Sequence, residues 1–249
     1  TRIAGAVAHK KHSAQNCTNT IHSLKNSFLI MAHEYWLNRW ERNEIGFHQE
    51  GFNPYLLEYW PRLNIADNGA VFLPLCGKSR DMIWLHNRGH AIFGVELSKL
   101  AVADFFQENK FNPVRQAERD FTRYAAGRIA ILQGDFFNLN KKHLEKISAV
   151  YDRASLVALP PDTRKRYVQH MMHLLPPATQ ILLVGFDYPQ SEMQGPPYAV
   201  CVEEISMLYQ HHAEINLLKQ IDVLHENPRF QQLGLSRLEE NIVLLTTKS

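Results

Sequence analysis

The sequence predicts an α/β fold: a doubly wound, mostly parallel, seven-stranded sheet whose last strand runs antiparallel. Short apolar runs alternate with helix-length amphipathic stretches, the rhythm of βαβ units. One such unit, Val71 to Glu96, is complete within 26 residues. The last two apolar runs, Ile215–Val223 and Ser236–Leu245, are joined without a helical crossover, so the final strand returns antiparallel.

The unit VFLPLCGKSRDMIWLHNRGHAIFGVE organises the rest. The run Ala70–Leu75 reads as a strand and breaks at Cys76-Gly77. Ser79 is suited to cap a helix with Met82, Ile83 and Leu85 on its inner face, ending at Arg88-Gly89. A second strand, Ala91–Val95, stops on Glu96, 19 residues beyond Gly77. In nucleotide-binding sheets a carboxylate at this place accepts hydrogen bonds from a ribose diol. A dinucleotide fingerprint would carry three glycines where Pro74-Leu75-Cys76-Gly77 has one, which argues against a pyrophosphate. Gly77-Lys78-Ser79 imitates a phosphate loop, but Phe72 stands where that motif needs its first glycine. A ligand with a ribose and no phosphate chain fits, and S-adenosylmethionine is one. On this stretch alone, an ordinary βαβ unit with Glu96 as a solvated strand end stands on equal terms.

The remaining elements follow in order. His33–Arg42 reads as a helix with Tyr35, Trp36, Leu37 and Trp40 on its heavy face, and Asn43–Gly51 as a loop containing Phe47-His48-Gln49-Glu50. Asn53-Pro54 caps a helix to about Leu63. Beyond the central unit, Ser98 caps a helix to about Glu108, and Ala117–Tyr124 suggests another helical turn or two. Arg128–Gln133 is the third strand, delivering Gly134-Asp135-Phe136-Phe137. Ala149–Asp152 is the fourth, followed by Arg153-Ala154-Ser155. Pro161 opens a helix to Leu175, with Tyr167, Val168, Met171 and Leu174 inward; its methionines are core filler. Thr179–Phe186 is the fifth strand. Asp187–Val200 is a long loop holding Gly195-Pro196-Pro197-Tyr198, of the length that lids have. Glu203–Gln210 is a helix, and Arg229 falls in the loop between the last strands.

Composition narrows the function. The 249 residues suffice for one sizeable domain, and no apolar run approaches the roughly 20 residues of a membrane span. The formal charge of +2 is unevenly spread: residues 1–30 carry Arg2, Lys10, Lys11 and Lys25 and no acid, leaving 23 basic against 25 acidic groups beyond them. Such a body lacks the basic stripe of a nucleic-acid binder. Cys17, Cys76 and Cys201 are odd in number and lack CxxC spacing, which suits a reducing, cytoplasmic setting rather than a disulfide framework or zinc site. His211-His212 reads as a solvated helix end. Residues 1–30 read as a flexible or non-native extension, with Met31 a natural start and 31–249 a single domain, expected to be monomeric.

PLCGKSRDMIWLHNRGHAIFGVELS resembles the cofactor segment of the thiopurine S-methyltransferase family, with its PLCGK turn, RGH helix end and GVE strand end. The resemblance runs from about Tyr35 to Leu245, through WLNRWERNEIGFHQE, YDRASLVAL, GPPY and a final arginine, Arg229, ahead of a glycine. It implies a class I, Rossmann-like methyltransferase that moves a methyl group from S-adenosylmethionine to an aromatic or heterocyclic thiol, in a detoxifying role. It implies that Trp36, Leu75, Glu96, Asp135, Phe136 and Arg153 meet the cofactor, and that Arg153 and Arg229 hold the acceptor. Phe47, Pro197 and Tyr198 would line the acceptor site, and the segment Trp36–Phe47, with the Gly195–Tyr198 loop, would form a lid. By local sequence alone, Asp135 could equally cap the turn near Asn138, Arg153 could pair with an acid, and both tryptophans could be core. Acceptors based on selenium or tellurium oxyanion metabolites, or other small soft nucleophiles, stay open, as does a noncatalytic cofactor-binding protein.

Overall fold

A parallel strand covered on both faces needs apolar side chains on both, and the central runs of this chain supply them. The computed structural model describes residues 33–65 and 69–248. Val71, Phe72 and Leu73 of β1 (Ala70–Leu73) are all buried. β1 pairs in parallel with β2 (Ala91–Glu96) on one side and with β6 (Ile147–Arg153) on the other. β5 (Ile129–Gln133) joins β2, and β7 (Gln180–Asp187) joins β6, both in parallel. β9 (Glu239–Thr247) inserts antiparallel between β7 and β8 (Ala213–Asp222). The last strand therefore runs as expected.

Two strands were not foreseen. Where a helical turn was expected over Ala117–Tyr124, the chain forms a hairpin of β3 (Val114–Ala117) and β4 (Thr122–Ala126), which extends the sheet antiparallel from β5 and brings it to nine strands. Gly127, at φ 56°, turns β4 straight into β5, and Tyr124 stacks its ring on Phe106 at 6.3 Å. The alternation at Thr122, Tyr124 and Ala126 before Gly127-Arg128 was the overlooked signal.

Helices cover both faces. α6 (Pro161–Leu174) and α7 (Val202–Tyr209) lie over one, where Tyr167, Met171 and Ile205 meet Ile181, Leu183 and Val243. α2 (Pro54–Tyr59), α3 (Asp81–Asn87) and α4 (Lys99–Glu108) lie over the other, where Leu56, Met82 and Phe105 share one core with Val71, Ile92, Ile131 and Leu182. Asn53 accepts from the amides of Tyr55 and Leu56, and Ser98 Oγ from Ala101, as expected of caps. Ser79 is not the cap of α3; Arg80 holds that position, and Ser79 Oγ accepts from Asp81 N at 3.2 Å. A short helix α5 (Lys141–Leu144) precedes β6. Arg229, expected in a loop, sits on α8 (Pro228–Gln232), whose leading proline suits a first helical turn.

Residues up to Ile45 form a unit distinct from residues 46–249. In its described part, residues 33–41 are the helix α1; Arg39 Nη1 donates to Tyr35 OH, and the helix stops at Asn43, in the left-handed region at φ 54°. The expectation for residues 1–30 lies outside the described residues.

At Gly94 the turn after β1 comes so close to β2 that a Cβ would stand 2.7 Å from Cys76 Sγ. Gly94→Ala should therefore destabilise by about 1–3 kcal/mol. Thermal unfolding would check it: adding Cys76→Ala should recover most of the loss, and an unrecovered loss would place the strain elsewhere.

Candidate functional site

Neighbours of β1 leave it in opposite directions, β2 to one side and β6 to the other, which makes the carboxyl ends of these strands a switch-point crevice. The turn after β1 is bent at Leu75 (φ 45°) and Gly77 (φ 52°). A left-handed leucine costs on the order of 1–3 kcal/mol and persists only where its surroundings over-determine it. Here they do. Cys76 N donates to Val95 O at 3.0 Å, Gly77 N to Glu96 Oε2 at 2.8 Å and Ser79 N to Cys76 O at 3.1 Å, while Ser155 Oγ holds Pro74 O at 2.9 Å. Three amides of the turn are thus spent inside the protein, where a phosphate loop would aim them at its ligand. Lys78 is also committed, to Glu108 at 2.6 Å and Asp104 at 3.9 Å.

Glu96 is buried, which rules out a solvated strand end. Its Oε1 accepts from Ser98 N at 2.7 Å, opposite the Gly77 bond to Oε2. Burial pushes its pKa up, and the main-chain donors pull it back. A carboxylate oxygen has room for about two donors, so each retains acceptor capacity. The adjoining strand end is locked on by Gly134 N, which donates to Glu96 O at 2.9 Å. Asp135 follows and does cap the next turn: its Oδ1 accepts from Phe137 N at 2.9 Å. The Phe136 ring beside it is buried, 4.7 Å from Tyr167 and 5.4 Å from His170.

β6 ends with two charged residues on opposite faces, as a period of two requires. Arg153 turns to the face of α2 and α3. Its Nη1 donates to Phe47 O at 3.1 Å, and Asp81 and Glu240 bear on it electrostatically from α3 and β9. Arg229 arrives 76 positions later and packs so closely on Gly46 that a Cβ there would overlap its guanidinium. The two arginines therefore meet consecutive residues of one segment. Among the described residues neither forms an ion pair, so the pairing alternative for Arg153 fails. Arg80 anchors the same segment from its far end, donating to Glu50 O at 2.6 Å. His48, half-buried between, has its pKa lowered first by burial and then by Lys78.

The Gly195–Tyr198 loop is pinned. Tyr188 OH donates to Pro197 O at 2.6 Å, Tyr198 N donates to Val157 O at 2.7 Å, and Val200 N donates to Phe186 O at 2.8 Å. Pro197 and Tyr198 remain half-buried. Trp36 lies on α1, in the other unit, with the Tyr35 ring edge-on at 5.3 Å. Sequence reading missed Gly46, Asp81 and Ser155, whose partners lie 28 to 183 positions away and leave no local mark.

A family model described as Thiopurine S-methyltransferase matches residues 31–248. A protein of that name from Nitrosospira multiformis is 56% identical over 219 residues, which is 88% of this chain and 100% of the relative. One from Pseudomonas fluorescens is 45% identical over 212 residues, 85% of this chain and 97% of the relative. Among solved structures, the 1,6-didemethyltoxoflavin-N1-methyltransferase of Burkholderia thailandensis, with 1,6-didemethyltoxoflavin and S-adenosylhomocysteine bound, gives a TM-score of 0.63 at 13% identity over 90% of each chain. A TehB-like SAM-dependent methyltransferase from Corynebacterium glutamicum gives 0.52 at 12% identity, over 87% of this chain and 98% of that one. At such identities the structural likeness speaks for the fold alone.

Asp152, on the opposite face from Arg153, is fully buried; Tyr167 OH donates to its Oδ2 at 2.7 Å, and burial raises its pKa to about 6. Because the folded value is the higher, the stabilising contribution is complete below about pH 4 and is lost as pH rises through 6. Urea unfolding followed from pH 4 to 7 should show the wild type losing about 3 kcal/mol relative to Asp152→Asn. Parallel curves would mean that the carboxyl titrates normally.

Proposed function

The chain belongs to the thiopurine S-methyltransferase family, and on that premise we propose that it transfers the methyl group of S-adenosylmethionine to the sulfur of an aromatic or heterocyclic thiol. The observation that carries this reading is the convergence of Arg153 and Arg229, unpaired by carboxylates, on Gly46-Phe47 at the switch-point crevice.

The crevice fits the cofactor on its own chemistry. An adenosyl sulfonium needs an acceptor for its ribose and no phosphate nest; Glu96 has acceptor capacity left, and the turn amides are already used. When bound, the cofactor supplies an electrophilic methyl group on a cationic sulfur. Glu96 would take the ribose hydroxyls, Asp135 and the main chain around Phe136 would face the adenine, and Trp36, Leu75 and Arg153 would complete the contacts. Arg153 and Arg229 hold the acceptor as its anion, with Phe47, Pro197 and Tyr198 as its walls. Most of the rate comes from position, since holding the reacting atoms in line makes a bimolecular reaction effectively intramolecular. Charge disappears as the methyl moves, so keeping water out favours the transition state. Walls of Phe47, Pro197 and Tyr198 would suit a ring-shaped acceptor better than a selenium or tellurium oxyanion. A monomer in the cytoplasm, serving detoxification, is part of the same reading; Cys76 and Cys201, free thiols among the described residues, support the reducing compartment.

Glu96→Gln keeps an acceptor for a main-chain amide but removes the charge, and should weaken S-adenosylmethionine by roughly 1.5–3 kcal/mol in calorimetry. An unchanged affinity would remove Glu96 from the cofactor. Arg153→Ala and Arg229→Ala should each lose about tenfold or more in turnover of an aromatic thiol, the loss expected for one charged hydrogen bond; S-adenosylhomocysteine should bind Arg229→Ala as it binds the wild type and bind Arg153→Ala more weakly, since Arg153 also meets the cofactor. Loss of the cofactor product from Arg229→Ala would move that arginine to the cofactor, and unchanged turnover in either variant would remove it from the acceptor.

A further inference from the structure

Resting on the methyl-transfer reading, the geometry points to His48 as the group that takes the proton of a neutral acceptor thiol while its sulfur is methylated. His48 follows directly on the Gly46-Phe47 step against which both arginines lie, so its ring is carried by the segment they fix. The segment is also tied at its far end, through Glu50 O to Arg80 and through Gln49 Oε1 to Asn53 Nδ2. His48 is half-buried, and among the described residues neither ring nitrogen makes a hydrogen bond, which leaves a lone pair for a proton.

Other bases around Arg153 are already engaged. Asp81 Oδ1 accepts from Asn53 N, and Glu240 faces Tyr55. The Cys76 thiol is buried and its pKa pushed well up. The charged groups facing His48 are Lys78 and Arg153, which disfavour its protonation, and Glu50 and Glu108, which favour it; burial adds to the first pair, and the balance keeps the imidazole neutral near pH 7. An imidazole unprotonated at working pH is what a general base requires.

In the step, a sulfur lone pair of the acceptor forms the bond to the methyl carbon, and the sulfonium carbon–sulfur bond breaks, its electrons staying on the departing thioether. The S–H electron pair remains on the acceptor sulfur, and the proton passes to a His48 nitrogen and from there to water. An acceptor already ionised in solution needs none of this, which gives the test its control.

Kinetics of wild type, His48→Gln and His48→Ala would be compared on two aromatic thiols, a nitro-substituted one ionised at pH 7 and an electron-rich one that is mostly neutral there. With the ionised thiol both variants should stay within about threefold of wild type. With the neutral thiol kcat/KM should fall about a hundredfold, lose the acidic limb due to the histidine, and climb with pH along the titration of the thiol. Equal losses on both thiols would make His48 structural, and no loss on the neutral thiol would remove it from proton transfer; either overturns the assignment. Failure of the wild type to methylate any thiol while binding S-adenosylhomocysteine would overturn the thiol reading itself, and the base with it.

Discussion

The ligand edge of this protein depends on one bracket: the buried carboxylate of Glu96, with Gly77 N on one oxygen and Ser98 N on the other. A carboxylate taken out of water needs such donors, and a turn with leucine in the left-handed region needs such a constraint. Each requirement meets the other. The bracket fixes where β1 ends, where α4 begins and how β2 presents its last residue. The bond from Gly134 N to Glu96 O then carries that position to the end of β5, and Ser155 Oγ carries the turn to the exit of β6.

The same economy explains what the site is not. Amides that would cradle a phosphate are bonded to Val95 O, to the Glu96 carboxylate and to Cys76 O, and the lysine that would reach it is held by Glu108 and Asp104. A turn sequence resembling a phosphate loop has been turned inward, so the crevice suits a ligand recognised by its ribose and by its charge at sulfur.

Two arginines converge on one short segment. Arg153 and Arg229 reach consecutive residues, Gly46 and Phe47, from a strand end and from a short helix far along the chain. Acids bear on Arg153 from a distance without pairing, which keeps the guanidinium oriented and its charge uncancelled. The loop around Pro197 and Tyr198 is held by Tyr188 and Val157, so its course is fixed by the protein's own contacts.

The sequence by itself determined whatever is written in short-range pattern. The buried parallel strands, the caps at Asn53 and Ser98, the proline opening α6 and the carboxylate closing β2 all follow from residue type and period within a few positions. Family motifs of the same short range carried the identification. Tertiary structure alone decided matters in which distant segments compete for one group. Asp135 caps its own turn, Phe136 goes to the core because Tyr167 and His170 offer it a packed face, and β3 and β4 form because β5 had an unpaired edge. Likewise Arg153 meets Phe47 across 106 positions, an encounter no local period encodes, because it exists only once both faces of the sheet are covered and the chain is closed on itself.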